Sequence, residues 1–424
     1  MKTTKKYVCL MAVTLIALQA CREEGRFELY SGDTVAPKKP TIIDWEPFFG
    51  GAIIYFQPPD DEDLLSINAE YTNVNGRTFR FAASYFTNAI TVSCMGSVDP
   101  HTVKVYSMDR TGNKSEAVSV VVTPDEPIVQ RVASTVSVKP AFGSFMVEWA
   151  NGLMSDVNVY IDFEFTQNGT QRSITQVFSS SEDSVRVFVE NLNLTELEPV
   201  SIRARVEDYY DNSSAVVDLG QITLLTDEVL PKAGWSLPDV RTEIGGVPQC
   251  FGDAHEGKLR FVIDDIIDEG MIYNYMHTDS RGYNGDVAFG NLPWNILIDL
   301  GDYYELSRII THQRHYAENV MERGHYYQDE NVGIYNMYIW DEDLAQWEFV
   351  SQRIIPVPNT GNLVELLQKA RAGDFAYLYP DEPKFSKPTR WFRYEAIVGF
   401  QADYTSLLAN CLSEITLYGR KSNR

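Results

Sequence analysis

Two stretches of the sequence align without a gap at an offset of 99 residues: PHTVKVYSMDRTGNKS from Pro100, and PVSIRARVEDYYDNSS from Pro199. The offset pairs Asp109 with Asp208, Asn113 with Asn212 and Ser115 with Ser214. A repeat of about one hundred residues is the length of one β-sandwich domain and is longer than a solenoid unit. The chain is therefore predicted to contain two sandwich domains in tandem.

Residues 39 to 226 show short stretches of alternating apolar and polar residues, separated by turn residues, a pattern typical of an all-β sandwich. We place one domain at residues 39 to 125 and the second at 126 to 227, with Trp149 in the core of the second. The turn DRTGNKS of the first copy becomes DYYDNSS in the second. Because the glycine is lost, we expect the second turn to differ.

The turn DRTGNKS resembles fibronectin type III domains, whose later strands often end in an Asp, a Gly-Asn pair and a Ser. The resemblance implies that both domains are spacers that hold a terminal domain away from the membrane. No motif in residues 39 to 226 indicates catalysis.

The N-terminus has the parts of an export signal. MKTTKK is basic, YVCLMAVTLIAL is apolar but too short to span a bilayer comfortably, and LQAC places Ala20 before Cys21. These residues resemble a bacterial lipoprotein signal, which implies that residues 1 to 20 are removed and that Cys21 is lipidated. A plain secretory signal or a buried helix is the alternative.

The residues after Cys21 resemble the export signal of Bacteroidetes surface lipoproteins, because REEG places an acidic pair beside the cysteine. This resemblance implies an outer-membrane protein that is lipid-anchored and faces the cell exterior. Residues 21 to 38 lack periodicity and are predicted to be a tether. The membrane is then contacted through the lipid anchor alone.

The charge of the chain limits its partners. A length of 424 residues predicts several domains, and the net charge of -23 repels nucleic acid and anionic membrane surfaces. Neutral and cationic ligands remain open.

Three cysteines, Cys94, Cys250 and Cys411, remain after the signal and the lipidation site. They allow one disulfide at most. A bond between Cys250 and Cys411 would join the two ends of one domain, and free buried thiols are the alternative.

The character of the sequence changes near Leu230, where tryptophan and histidine become frequent. Strand patterns follow one another: WNILIDLG, LSRIITHQR, the hairpin YNMYIWDEDLAQWEFV, RWFRYEAIVGF and LSEITLYG. NLVELLQKARAGDF has helical spacing instead, with an apolar face and a glycine to end it: Leu363, Leu366, Leu367, Ala370 and Gly373. Residues 228 to 424 are predicted to form a third all-β sandwich.

Six pieces of this region, taken in order, resemble a discoidin (coagulation factor 5/8 type C) domain, which is a jelly-roll sandwich with a galactose-binding-like fold. The pieces are FVIDDIIDEGMIYNYMHT, WNILIDLG, ITHQR, YNMYIWDEDLAQWEFV, RWFRYE and SEITLYG. The whole arrangement resembles Bacteroidetes surface lipoproteins of unknown function from polysaccharide-utilisation systems. The resemblance implies non-catalytic binding of a polysaccharide or oligosaccharide, with other outer-membrane glycan-uptake proteins as further partners.

A sugar site needs an aromatic face and several polar side chains on loops at one end of a sandwich. Two loops and the segment around His277 supply such residues, and RGHYYQDEN also contains His325 and Asn331. We predict a binding site from six of them: His277, Arg314, His315, Tyr316, Tyr326 and Tyr327. The alternative is that long loops collect polar residues and that Arg314 braces the sandwich.

The discoidin resemblance also implies a structural calcium ion. Its ligands would be backbone carbonyls, an early Asp and a Glu near the C-terminus, which form a hard-oxygen set that suits Ca²⁺. Asp265 or Asp268 would be the Asp, and Glu414 the Glu. The sequence departs from the usual Asp-Gly-Asn, since it has DDIIDEG.

The sequence favours a binding protein over an enzyme. A glycosidase needs two carboxylates at a defined separation, and among 59 acidic residues such a pair arises by chance. The sequence has no GxSxG, HExxH or phosphate-binding glycine loop. An adhesive or structural protein that binds a protein partner is the alternative to glycan binding.

Overall fold

A computed structural model of the chain describes residues 33–167, 169–189, 199–270, 272–287, 290–400 and 409–424. The predicted signal, Cys21 and the tether up to residue 32 lie outside the described residues. Within the described ranges, no helix has both the length and the apolar character that crossing a membrane requires.

The first sandwich consists of seven strands. They are β1 (Thr41–Phe48), β2 (Gly51–Gln57), β3 (Leu64–Thr72), β4 (Thr78–Ser84), β5 (Ala89–Val92), β6 (His101–Asp109) and β7 (Val118–Val122). One sheet has the order β1-β2-β5 and the other β4-β3-β6-β7. Alternate residues point inward, so that Ile54, Phe56, Val103 and Val105 are fully buried between the sheets.

In its described residues, the second sandwich begins with a short helix and continues with seven strands. They are α1 (Ile128–Ala133), β8 (Ser137–Ala141), β9 (Ser144–Ala150), β10 (Val157–Gln167), β11 (Thr170–Ser180), β12 (Ser184–Phe188), β13 (Val200–Asp208) and β14 (Val217–Ile222). The sheets have the orders β11-β10-β13-β14 and β12-β9-β8. Trp149 on β9 is 3% exposed, which confirms its predicted place in the core.

The repeated aspartates, Asp109 and Asp208, form the same turn in both sandwiches. Each carboxylate accepts hydrogen bonds from the main-chain N–H groups two and four residues further on, at 2.8 to 3.0 Å. Our expectation that the second turn differs is wrong. Asp211 replaces Gly112 in the left-handed conformation, with φ of 64° against 91°, because a short polar side chain tolerates that region.

The described part of the third sandwich contains the remaining strands, a second helix and two short 3₁₀ helices. The strands and the helix are β15 (Glu228–Val229), β16 (Glu243–Ile244), β17 (Val247–Pro248), β18 (Met276–His277), β19 (Trp294–His312), β20 (Val332–Asp341), β21 (Gln346–Ile354), α2 (Leu363–Ala372), β22 (Asp374–Tyr377), β23 (Thr389–Gly399), β24 (Cys411–Leu412) and β25 (Glu414–Lys421). The 3₁₀ helices span Lys232–Gly234 and Leu259–Ile263. The main sheet has the order β15-β25-β19-β23-β20-β21, and β22 also pairs with β19.

The long strand β19 changes its pairing partners at a bend near its middle. Its first half pairs with β23, and its second half pairs with β25 and β22. Gly301 lies at the bend with φ of 76°, and an added Cβ would lie 2.3 Å from the carbonyl oxygen of Gly234. Asp299 accepts a hydrogen bond from the Gly301 N–H at 2.9 Å, so it acts as a turn residue.

The predicted hairpin and helix of the third sandwich are both present. Strands β20 and β21 pair antiparallel. Asn362 caps α2 by accepting a hydrogen bond from the N–H of Val364, and Gly373 ends it with φ of 80°. Leu363 is 45% exposed and does not share the buried face of this helix, since it is the first helical residue.

Both joints between neighbouring sandwiches are packed. The side-chain amide of Asn212 donates to the carbonyl oxygen of Cys94 at 3.2 Å, across the first joint. At the second joint, the ring of Phe142 packs between Tyr377 and Phe385, at centroid distances of 6.5 and 4.8 Å. The predicted fold class is confirmed: the chain is all-β, with two fibronectin III-like sandwiches followed by a jelly-roll-like sandwich.

The three remaining cysteines are buried free thiols. Cys250 and Cys411 therefore do not form the disulfide that the sequence leaves open.

Candidate ligand-binding site

Two loops meet at the end of β19, and Asp268 joins them. We call the described residues 264–270, 272–275 and 313–331 the loop pair. The fully buried carboxylate of Asp268 accepts hydrogen bonds from the main-chain N–H groups of His315 at 2.8 Å and Tyr316 at 3.2 Å. It also accepts one from the N–H of Asn274 at 2.9 Å. Asp268 thus organises the loops.

Of the six predicted binding residues, Tyr316 alone is exposed. Its side chain is 42% exposed, whereas the other five residues are at most 8% exposed: His277, Arg314, His315, Tyr326 and Tyr327. Four of these buried residues belong to the loop pair itself and His277 lies next to it, and none of the five presents its side chain to a surface ligand.

The buried His315 is held through both ring nitrogens. The N–H of Gly270 donates to Nδ1 at 2.8 Å, so Nε2 carries the proton and donates to the carbonyl oxygen of Glu322 at 2.8 Å. The imidazole stacks on Tyr326 at a centroid distance of 4.5 Å. Tyr326 and Tyr327 belong to the main hydrophobic core of the third sandwich. These three side chains therefore shape the loops.

Arg314 lies beneath the exposed ring of Tyr316. Its guanidinium lies between two aromatic rings, 4.1 Å from the centroid of Tyr275 and 3.9 Å from that of Tyr316. It also donates to the Glu330 carboxylate at 3.2 Å. A guanidinium between two rings gains cation–π energy on both faces, so Arg314 supports the Tyr316 ring from below.

Two more rings flank Tyr316 at the surface. The centroid of the half-buried Tyr273 ring lies 6.1 Å away, and that of His325 lies 5.1 Å away in an edge-on arrangement. Burial lowers the pKa of His325 from its usual value, although the nearby Asp329 opposes this shift. The result is an exposed aromatic surface with an imidazole at its edge, which we call the Tyr316 surface.

The described backbone of the loop pair is strained at five non-glycine residues. Asp265, Tyr273, Tyr316, Tyr327 and Asp329 have φ values of 64°, 55°, 44°, 57° and 55°. Bulky side chains rarely adopt this left-handed conformation, and such residues concentrate at functional sites when their surroundings hold them in place. At Tyr316 the two hydrogen bonds of Asp268 to successive N–H groups supply that constraint.

His277 lies on β18 beneath the loop pair. Its Nε2 is 3.0 Å from the carboxylate of Glu330, and its Nδ1 bonds the carbonyl oxygen of Thr278. Burial opposes the positive charge of His277, but hydrogen bonds with Cys411 and Glu330 outweigh it and raise its pKa to about 10. The imidazole is thus part of a buried polar cluster.

Two of the three residues predicted to bind calcium, Asp265 and Glu414, hold an ammonium group. The Nζ of Lys232 lies 2.7 Å from the Asp265 carboxylate and also pairs with that of Glu414. Asp268 uses its carboxylate oxygens for the loop N–H groups. Calcium requires six to eight oxygen ligands, so these residues as arranged do not fit a calcium site.

Burial of Glu414 has an electrostatic consequence. Removal from water raises the pKa of its carboxyl to about 7, although the ammonium of Lys232 acts in the opposite direction. The positive charge of Lys232 thus offsets the cost of burying the Glu414 carboxylate, which forms no ion pair with another cationic side chain in the described part of the chain.

Several residues of this region were not in the predicted site. Tyr273 lies within the aromatic stretch IYNYM and His325 within RGHYYQDEN, so both could have been chosen by the same reasoning as Tyr316. Lys232 and Cys411 carry no local signal, because their partners are distant in sequence.

Comparisons with known proteins cover parts of the chain. A family model described as a domain of unknown function, DUF4959, matches residues 37–124, which correspond to the first sandwich. No curated protein matches the chain.

Three solved structures are similar in part. A SusE-like protein covers 70% of this chain and 100% of its own, at 18% identity and a TM-score of 0.34. CBM32-3 from a family 31 glycoside hydrolase of Clostridium perfringens covers 45% of this chain and 95% of its own, at 17% identity and a TM-score of 0.28. A fragment of a putative chitobiase from Bacteroides thetaiotaomicron covers 46% and 95%, at 15% identity and a TM-score of 0.28. With TM-scores this low, none of these superpositions establishes a functional relationship.

Proposed function

We propose that the chain is a non-catalytic carbohydrate-binding protein of the cell surface and that the Tyr316 surface binds the glycan. The observation that carries the proposal is the state of Tyr316. Its ring is 42% exposed, yet it rests on the Arg314 guanidinium and its backbone is held in a strained conformation by Asp268.

The chemistry of this surface suits a sugar. An aromatic ring offers a flat face to the C–H groups of a sugar ring, and neighbouring polar groups bond its hydroxyls. His325 and the phenol of Tyr273 lie beside the Tyr316 ring. Because Arg314 and Asp268 fix the ring in advance, less conformational entropy is lost when a ligand binds.

The remaining parts of the chain fit a display role. The two fibronectin III-like sandwiches act as spacers, and Cys21 supplies a lipid anchor that places the protein on the outer membrane, facing the exterior. Its partners are a polysaccharide or oligosaccharide and other outer-membrane glycan-uptake proteins. A Cys21→Ser variant should therefore move from the detergent phase to the aqueous phase when membranes are extracted, while an unchanged distribution contradicts the anchor.

Affinity gel electrophoresis against a panel of polysaccharides tests the binding site. We expect the full chain to be retarded by at least one glycan, and Tyr316→Ala to weaken this retardation at least about tenfold, the equivalent of about 1.4 kcal/mol. Tyr316→Phe, which keeps the ring, should retain binding. Phe349→Ala is the matched control, because Phe349 is also an exposed aromatic residue (54%) but lies on β21.

Three outcomes would contradict the proposal. The proposed site is contradicted if wild-type protein binds none of the glycans. It is also contradicted if Tyr316→Ala protein binds as well as wild type. The proposal that the protein is not an enzyme is contradicted if wild-type protein releases reducing sugar from a polysaccharide that retards it.

A further inference from the structure

Three potential metal ligands converge beneath the loop pair. Nε2 of His277 and Sγ of Cys411 lie 3.0 and 3.7 Å from the same carboxylate oxygen of Glu330, and all three ligand atoms are within 4.8 Å of one another. Around a tetrahedral Zn²⁺, nitrogen and oxygen ligands are about 3.3 Å apart and sulfur lies about 3.6 Å from either, given the usual bond lengths. The distances of 3.0 and 3.7 Å in the structure differ from these ideal ligand–ligand separations by a few tenths of an ångström at most.

The main chain positions the three residues, which come from distant parts of the sequence. His277 and Cys411 are directly opposite each other in the pairing of β18 with β24. The N–H of Cys411 donates to the carbonyl oxygen of Glu330 at 2.9 Å. Because hydrogen-bonded backbone holds each Cα, the ligand set is preorganised and does not depend on flexible side chains alone.

The second ring nitrogen of His277 is used as it is in metal-ligating histidines. Its Nδ1 bonds the carbonyl oxygen of Thr278, which orients the ring so that Nε2 faces Glu330 and Cys411. A bond from the distal nitrogen to a backbone carbonyl is the usual outer-shell contact of a histidine that ligates a metal.

Arg314 contacts two of the same ligand atoms. One of its terminal nitrogens lies 3.2 Å from the Glu330 carboxylate and 3.4 Å from the Cys411 sulfur. It remains held between the rings of Tyr275 and Tyr316. It can donate to a metal-bound thiolate and carboxylate without taking their places in the first shell.

The burial of the cluster favours an ion over a larger ligand. His277 is 4% exposed and Cys411 fully buried, while the Glu330 side chain is 26% exposed and gives the cluster its contact with solvent. Thiolate, imidazole and carboxylate together suit Zn²⁺ and not Ca²⁺ or Mg²⁺. We propose that His277, Glu330 and Cys411 form a binding site for Zn²⁺ that ties three segments together under the loop pair.

This proposal is independent of glycan binding, and it is tested with the metal alone. The full chain, freed of metal by a chelator and kept reduced, is titrated with Co²⁺ as a spectroscopic substitute for Zn²⁺. We expect one equivalent to produce a thiolate-to-cobalt charge-transfer band in the near ultraviolet and strong visible bands typical of tetrahedral coordination. Added Zn²⁺ should remove both sets of bands.

Two variants assign the ligands. Cys411→Ser should abolish the charge-transfer band, and His277→Gln should weaken Co²⁺ binding at least about tenfold. Cys250→Ser is the matched control, since Cys250 is another buried free thiol, and should leave the titration unchanged. Near-ultraviolet circular dichroism of each metal-free variant verifies that the fold is retained.

The site is refuted if wild-type protein gives no charge-transfer band. It is equally refuted if a folded Cys411→Ser protein keeps the band or if Cys250→Ser loses it, because the thiolate ligand would then be a different cysteine. Glycan retardation by the Tyr316 surface is scored separately, so either proposal can fail alone.

Discussion

Lys232 and Glu414 form an ion pair in which both side chains are almost wholly buried, with 4% and 2% of their surface exposed. The lysine comes from the 3₁₀ helix just after the second sandwich, and the glutamate begins the last strand of the third. A buried pair of this kind adds little net stability, but removing one partner leaves a buried charge uncompensated.

Replacing Lys232 with methionine should therefore destabilise the protein by about 3 kcal/mol at neutral pH. Urea unfolding followed by circular dichroism measures this loss. The double replacement of Lys232 with methionine and Glu414 with glutamine should recover at least half of it, because no charge is then buried. A single variant that unfolds within about 0.5 kcal/mol of wild type would show that the pair has no such role.

Calcium should have no effect on stability, because the Lys232 ammonium already lies between the carboxylates of Asp265 and Glu414. Adding millimolar-range Ca²⁺ to metal-free protein is expected to leave the thermal midpoint unchanged, whereas a bound ion at 100 times its Kd would add about 2.7 kcal/mol. Magnesium serves as the control for ionic strength. A calcium-specific rise in the midpoint would restore the predicted calcium site.

Stability should decrease toward acid pH through His312. This residue is 7% exposed, and burial, together with the charge of Lys232, lowers its pKa to about 4 from about 6.5 in the unfolded chain. Since the folded pKa is the lower one, the stability from neutral His312 is present above pH 6.5 and is lost as the pH falls toward 4.

A His312→Leu variant tests this sign. Between pH 7 and pH 4.5, its free energy of unfolding should fall by about 2 kcal/mol less than that of wild type. His255→Gln, at an exposed histidine of the same sandwich, should follow wild type. Equal pH dependence in wild type and His312→Leu would mean that His312 is not buried in its neutral form.

Gly96 should be required at the first joint. A Cβ at this position would lie 2.4 Å from the side-chain oxygen of Asn212. The side chain of Asn212 cannot move away freely, because its Nδ2 donates to the Cys94 carbonyl and the Asp208 carboxylate. Gly96→Ala is expected to cost about 1–3 kcal/mol and to change the small-angle scattering profile of the chain. Gly361→Ala, where the Cβ meets nothing within 4 Å, is the control. A scattering profile and unfolding midpoint equal to wild type would contradict the packed joint.

Local patterns predicted much of the fold. Alternation along β6 and β9, the hairpin β20–β21 and the glycine that ends α2 each depend on neighbouring residues, so the sequence suffices to find them. The sequence did not predict that the two repeated turns have the same structure, because we expected this turn to require a glycine. Asp211 shows that the two N–H bonds to the aspartate define the turn.

The six predicted binding residues remain a prediction, and the structure leaves only Tyr316 among them exposed. The loop after β19 meets the loop that precedes β18, and exposure is decided by long-range contacts that no local pattern contains. Asp268 turns His315 inward while leaving Tyr316 at the surface, although the two are adjacent in sequence. In the same way, the distant Lys232 rather than a metal ion satisfies Glu414.

The packed joints at Asn212 and Phe142 have a mechanical meaning. When domains are joined by flexible linkers, an applied force first reorients each domain. When domains are held together by hydrogen bonds and packed rings, as they are here, the force is transmitted from one domain to the next. Force applied at Tyr316 would thus be transmitted through Phe142 and Asn212 to the N-terminal end of the first sandwich. The three sandwiches would then respond to force as one stiff lever.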